Sequence, residues 1–169
     1  RIVFPIRDSL GKIKVFIARH LFAKPTDGIK RYDIKPSGVQ VPFFPHNPIL
    51  ENGTLIFVEG LFDALNLIDN GMTNVVSVNG LQSLNPKNVA TKLATYRLMG
   101  CSKIITMFDN DEAGKKHTEI MLPAIRGVGF VADSVDWNVD SEYKDPGELP
   151  AENIKELKKA LKYANSGNR

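Results

Sequence analysis

From residue 55 to residue 135, short apolar runs alternate with stretches whose apolar residues recur at helical spacing. Leu55-Ile56-Phe57-Val58 is a run of strand length, and Leu61, Leu65 and Ile68 follow it on one face of a 3.6-residue period, which predicts a helix over 61–70 closed by Gly71. The alternation continues with a strand over 74–78 that ends at Asn79-Gly80, and a helix from about Pro86 to Leu98 that stops near Gly100. A strand over 103–108, a helix from Glu112 to about Arg126 and a strand from Val128 to Val135 complete it. Helical crossovers between short apolar strands predict an α/β fold, a mostly parallel four-stranded sheet with flanking helices. In such a sheet the functional crevice lies beyond the carboxyl ends of the strands.

The flanking segments follow other patterns. Ile2-Val3-Phe4 with Ile6, and Ile13 with Val15-Phe16-Ile17, enclose the turn-forming cluster Asp8-Ser9-Leu10-Gly11, which predicts a hairpin with Pro5 at an edge or bulge. Residues 24–50 carry Pro25, Pro36, Pro42, Pro45 and Pro48, too many for a helix, so extended pieces are expected around Val39-Gln40-Val41 and Phe43-Phe44. The tail beyond Pro150 places Ile154, Leu157 and Leu161 at helical spacing among Lys and Glu, an amphipathic helix that needs a partner surface. The expected division is a small basic β-rich subdomain over 1–50, the parallel sheet over 51–150 and the start of a helical segment over 151–169.

Charge is uneven along this division. Residues 1–50 hold nine Lys/Arg against three Asp/Glu, residues 51–140 seven against eleven, and residues 141–169 six against five, for a net charge of +3. A basic stretch followed by an acidic one suits an enzyme that acts on a polyanion, although a solvated basic face fits the same count. No apolar run approaches the ~18 residues of a membrane span, and the first residues lack the order of a signal peptide, so a cytoplasmic protein with no membrane partner is expected. Arg1 in the first position suggests a piece excised from a longer protein. The single Cys101 and the scattered His20, His46 and His117 form no disulfide and no zinc spacing.

Acidic residues cluster where predicted strands become helices. Glu59-Gly60 follows the strand at 55–58, and Asp109-Asn110-Asp111-Glu112 follows the strand at 103–108. Three carboxylates converging on one rim repel each other unless cations hold them, and a hard ion such as Mg²⁺ takes oxygen ligands in this way. Helix capping also fits Asp109 or Asp111, a first-turn position favoured by the helix dipole fits Glu59, and Asp63 fits either a solvated position or a support for Glu59. Lys115, after Gly114, fits a phosphate contact or a solvated pair with Lys116. There is no Walker-type Gly-Lys-Ser/Thr, and no Ser or Cys has a His partner by sequence signal, which argues against a nucleotide-driven motor and against side-chain nucleophilic catalysis.

Taken in order, Val58-Glu59-Gly60, Asp63, Asn79-Gly80 and Asp109-Asn110-Asp111-Glu112-Ala113-Gly114 resemble the Toprim domain of primases, topoisomerases and some nucleases. The opening Arg1-Ile2-Val3-Phe4-Pro5-Ile6-Arg7-Asp8, Gly11 and Phe16-Ile17-Ala18-Arg19 resembles the start of the RNA polymerase core of bacterial DnaG-type primases. Lys30-Arg31-Tyr32 and Lys144-Asp145-Pro146-Gly147-Glu148 match further motifs of that core, so the likeness runs from residue 1 to about 150. It implies that Glu59, Asp109, Asp111 and Asp145 bind Mg²⁺ or Mn²⁺, with Glu59, Asp109 and Asp111 catalytic and Glu59 nearest the chemistry. It implies that Arg7, Arg19, Arg31 and Lys115 hold template, primer or nucleotide phosphates, supported by Asp63, Gly60, Gly80 and Gly114. The chain departs from the family at Gly147, where a second acid usually follows the one matched by Asp145, and Glu148 is the nearest replacement.

The resemblance implies templated synthesis of short RNA primers for DNA replication, by attack of a 3′-hydroxyl on the α-phosphorus of an incoming nucleotide. Its partners would be a single-stranded DNA template, ribonucleoside triphosphates and the RNA primer. A replicative helicase would be reached through modules outside these residues, and without those modules weak activity is expected. A Toprim nuclease that uses the same acids to activate water, and a non-catalytic nucleic-acid-binding module, are the alternatives.

Overall fold

The structure is a computed structural model that describes residues 1–22, 28–137 and 142–166. A small antiparallel sheet comes first, with strands β1 (Ile2–Arg7), β2 (Ile13–Arg19) and β3 (Tyr32–Lys35) in the order β1-β2-β3. Pro5 lies on β1, an edge strand paired only with β2, where its missing N–H costs no ladder bond, and the register slips between Ile6 and Arg7. The strand β3 replaces the extended piece expected at Val39–Val41. Its apolar signal was only Tyr32 and Ile34, set between charged neighbours, and pairing to Arg19 and Ile17 of β2 decided it. Phe44 exchanges backbone hydrogen bonds with Ser77 at 3.0 and 2.7 Å, so the following segment runs beside the main sheet without forming a strand there.

The main sheet contains β4 (Thr54–Val58), β5 (Val75–Ser77), β6 (Lys103–Thr106) and β7 (Val131–Ser134), all parallel, in the order β5-β4-β6-β7. The helices are α1 (Leu61–Asp69), α2 (Val89–Leu98), α3 (Glu112–Gly127) and α4 (Ala151–Ser166). Two boundaries differ from the sequence pattern by three residues. The helix α2 starts at Val89 because Asn85 and Asn88 hold a local turn first, Asn88 Oδ1 accepting from the Asn85 amide at 2.9 Å and Asn85 Oδ1 from the Lys87 amide at 3.0 Å. The strand β7 starts at Val131 because Val128 still caps α3 and the Gly129 amide turns back to the Arg126 carbonyl at 2.8 Å.

Strand alternation divides the core. Leu55 and Phe57 of β4 join Ile104, Val76 and the inner faces of α2 and α3, whereas Ile56 and Val58 join Ile105, Val75, Ala64 and Leu67 of α1, and Ile154 of α4. The tail helix thus finds the surface its apolar stripe requires, beside α1. The small sheet packs Ile6, Val15 and Ile17 against Leu61 of α1, which places it at one end of that helix. From β4 the chain passes through α1 to β5, then crosses through α2 to β6 and onward to β7. The outgoing connections of adjacent β4 and β6 therefore leave in opposite directions, which opens a crevice between their carboxyl ends.

The aromatic centre of the larger core is Phe57, fully buried, with ring centres of Phe43 and Tyr96 both 5.8 Å away. Phe57→Ala is expected to cost about 3–5 kcal/mol of unfolding free energy in urea denaturation. A loss below ~1 kcal/mol would show that this core collapses around the gap.

Candidate metal centre and phosphate-binding cleft

The crevice between β4 and β6 is a cleft of about 980 Å³ lined by Glu59, Gly60, Asp63, Asn79, Gly80, Asp109, Asp145 and Glu148, with Arg19, Arg31, Tyr32 and Phe62 on another part of its wall. The residues that follow β4 and β6 thus meet the turn Pro146–Glu148, and the basic subdomain closes the same space. Arg19 lies with its guanidinium carbon 3.8 Å from the centre of the Phe62 ring and 5.6 Å from that of Tyr32. Stacked in this way, a guanidinium keeps its N–H edge available for phosphate oxygens.

Burial and mutual repulsion set the electrostatics. Asp109 is pushed up to about 7, first by burial and then by the charges of Asp63, Glu59, Asp145 and Asp111. Asp63 is also raised to about 7 by burial and by Asp145 and Glu59, against hydrogen bonds from the Gly60 and Gly147 amides. Burial, with Asp111 and Asp145, raises Glu59. Burial and Glu148 raise Asp145, while backbone hydrogen bonds and Arg31 oppose the rise. One oxygen of Asp109, Oδ1, is buried without a hydrogen-bond partner.

That orphaned oxygen is the observation that fits a divalent cation, because an ion bound there would satisfy it and relieve the repulsion. Among the described residues no three His, Cys, Asp or Glu side chains form a ready cage. Mg²⁺ keeps several waters and takes one or two carboxylates together with substrate phosphate, so Asp109 with Glu59 or Asp145 suffices.

Backbone ties hold the acids in place. The Gly60 amide donates to Asp63 Oδ2 at 2.6 Å, so Asp63 supports the turn that presents Glu59. The Asn110 amide donates to the Lys144 carbonyl at 2.7 Å, joining the Asp109 loop to the Asp145 segment, and Trp137 Nε1 donates to the Phe108 carbonyl at 2.8 Å. Asn66 Nδ2 donates to the carbonyls of Pro146 and Leu149, each at 2.9 Å. Sequence reading missed Asn66, Phe62 and Trp137. The available signals were an Asn three residues after Asp63, on the same helix face, and the lone Trp of the chain.

Four of the residues singled out by the motifs lie outside the cleft lining. Asp111 caps α3, its Oδ1 accepting from the Gly114 amide at 2.8 Å, and it touches the site through its charge on Glu59 and Asp109 without lining the cleft. Gly114 lets the Asp109 backbone approach closely, since a Cβ there would collide with the Asp109 carbonyl oxygen. Arg7 lines a separate groove of about 380 Å³ with Lys14, His46 and Lys92, and its Nη1 donates to the Gly11 carbonyl at 2.7 Å. Lys115 is exposed on α3 outside the cleft lining. As for Glu148, its Oε2 accepts from the Lys144 amide at 3.0 Å.

Residues 56–149 match the Toprim-like family, and the chain belongs to it. The relatives are more particular. The DNA primase of Thermotoga maritima is 32% identical over 171 residues, covering 98% of this chain and 29% of that protein. The Aquifex aeolicus primase, solved as its zinc-binding and RNA polymerase domains, superposes with a TM-score of 0.74 at 25% identity, covering 96% of this chain and 40% of that one. A DnaG primase catalytic domain bound to ssDNA shares the fold with a TM-score of 0.61 at 22% identity, covering 95% of this chain and 50% of that one. The chain spans less than a third of the length of the curated relatives it matches. Among the described residues no helix is long and apolar enough to cross a membrane.

Because the folded protein keeps Asp63 and Asp109 protonated up to about 7, the unfolded chain binds fewer protons between about 4 and 7. These groups therefore lower metal-free stability as pH rises through that window. Thermal denaturation in a chelator should show this decline, with Asp109→Asn flattening it and millimolar Mg²⁺ recovering stability at pH 8; an equal decline in the variant would contradict the assignment. Separately, Gly114→Ala should cost roughly 1–3 kcal/mol in urea denaturation, because the Asp109 backbone must move aside.

Proposed function

We propose that this chain is the catalytic core of a DNA primase, a metal-dependent nucleotidyltransferase that synthesises short RNA primers on a single-stranded DNA template. The observation that carries this reading is one cleft shared by Glu59, Asp109 and Asp145 on the sheet side and by Arg19 and Arg31 on the basic side. Residues 1–50 would act as the basic subdomain, 51–150 as the metal-binding domain and 151–169 as the start of a helical segment. The primase relatives, and the ssDNA held by a neighbour of the same fold, support it.

Glu59, Asp109 and Asp145 would hold Mg²⁺ or Mn²⁺, with Asp111 adding charge from the cap of α3. Once bound, the ion supplies positive charge that offsets these acids and stabilises the charge developing on the reacting phosphate. Arg19, held between Phe62 and Tyr32, and Arg31 bind phosphates of the incoming ribonucleoside triphosphate or of the template. The 3′-hydroxyl oxygen of the primer forms a bond to the α-phosphorus as the bond to pyrophosphate breaks. Glu59, raised above the usual carboxylate range by burial, accepts the hydroxyl proton. Template pairing selects the base, and a replicative helicase would be met through modules beyond these residues.

Extension of an RNA primer annealed to a DNA template, with ribonucleotides and Mn²⁺, tests the reading. Glu59→Gln and Asp109→Asn should each lower the extension rate by about 10²-fold or more, the scale of losing a preorganised electrostatic group. Undiminished extension in both variants, or cleavage of the template without added nucleotides, would overturn it in favour of a different use of the acids.

A further inference from the structure

The turn that carries Asp145 sets Gly147 between two acids, Asp145 and Glu148, and its neighbours on α1 bear on that position. Asp63 and Asn66 are three residues apart and therefore share a face of that helix. Asn66 Nδ2 donates to the Pro146 and Leu149 carbonyls, which bracket the turn, each at 2.9 Å. Its amide cannot be reversed without loss, because Asn66 Oδ1 accepts from Asn70 Nδ2 at 3.2 Å, leaving the NH₂ group aimed at the turn. Asp63 Oδ2 holds the Gly60 amide at 2.6 Å, and its other oxygen lies against Gly147. A Cβ at residue 147 would stand 2.9 Å from Asp63 Oδ1 and 3.0 Å from Asp145 Oδ1.

We propose that Asn66 is a positioning residue for Asp145, the outer half of a clamp in which Asp63 fixes the Glu59 turn and Asn66 fixes the Asp145 turn. Gly147 is then the residue the clamp requires, and not a ligand position left empty. The two acid-bearing segments are held in register from one helix face, so a displacement of the Asp145 turn moves a carboxylate relative to Glu59 and Asp109. A side chain at 147 would crowd two carboxylates that already repel each other, and an acidic one would add a third charge at the same point.

This inference rests on the metal-binding reading of the cleft, and Mn²⁺ titration by isothermal calorimetry and electron paramagnetic resonance separates the two. Asn66→Ala should weaken Mn²⁺ binding about 10-fold, the usual cost of removing an outer-shell partner, and Asn66→Gln should recover part of the loss. Leu157→Ala, which loosens α4 over the same core face, should lower thermal stability while leaving Mn²⁺ affinity within about twofold of the parent; this separates positioning from general destabilisation. Gly147→Asp should lower affinity and leave the number of bound ions unchanged. Unchanged affinity in both Asn66 variants, or an added ion in Gly147→Asp, overturns the clamp while leaving the cleft intact. A parent protein that takes up no Mn²⁺ at millimolar concentration, or takes it up equally as Glu59→Gln, overturns the metal cleft and the clamp together.

Discussion

Negative charge held half out of water at the carboxyl ends of β4 and β6 is the constraint around which this molecule is arranged. Asp109 and Asp63 are each pushed to about 7, first by burial, to which the charges of Asp63, Glu59, Asp145 and Asp111 add at Asp109 and those of Asp145 and Glu59 at Asp63. Such a group of acids opposes folding unless something holds it in place. The sheet topology supplies the space, because adjacent strands send their connections in opposite directions. Backbone amides then tie the turns together, and Asp111 commits its own oxygen to the cap of α3.

Two parts of the protein meet at this cleft with opposite charge. The small sheet has little core of its own and rests on Leu61, with Phe62 and Leu65 alongside, so α1 joins the basic subdomain to the acidic rim. Phe62 faces that junction. Its ring contacts Phe4 edge to face at 5.5 Å and carries the Arg19 guanidinium, so a hydrophobic contact with the small sheet also fixes a cation at the cleft wall. Walls of opposite charge around one cleft suit a substrate that is a chain of phosphates with ions beside it.

The parallel sheet was legible because its signals are local. Leu55–Val58 is apolar throughout, Leu61, Leu65 and Ile68 repeat with a helical period, and the acids stand where one pattern gives way to the other. Glu59 and Asp109 could be singled out for the same reason, whereas Asp145 came only from the likeness of Lys144–Glu148 to a primase motif. The strand Tyr32–Lys35 could not, since its pairing with β2 is a tertiary decision made across residues 20–31. Nor could the close approach of the Asp109 backbone to Gly114 and of Asp63 to Gly147, which only the folded chain brings about. Arg7, which the primase motif singled out, lies in a groove apart from the acids of the cleft, a placement set by the hairpin.

The most direct measurement is a crystal structure of the protein soaked in Mn²⁺, with the ion located by its anomalous scattering. The account predicts a peak in the cleft within coordination distance of Asp109 Oδ1, the oxygen left without a hydrogen bond, shared with Glu59 or Asp145. No peak in the cleft at millimolar Mn²⁺, or an ion bound only elsewhere on the surface, would contradict it.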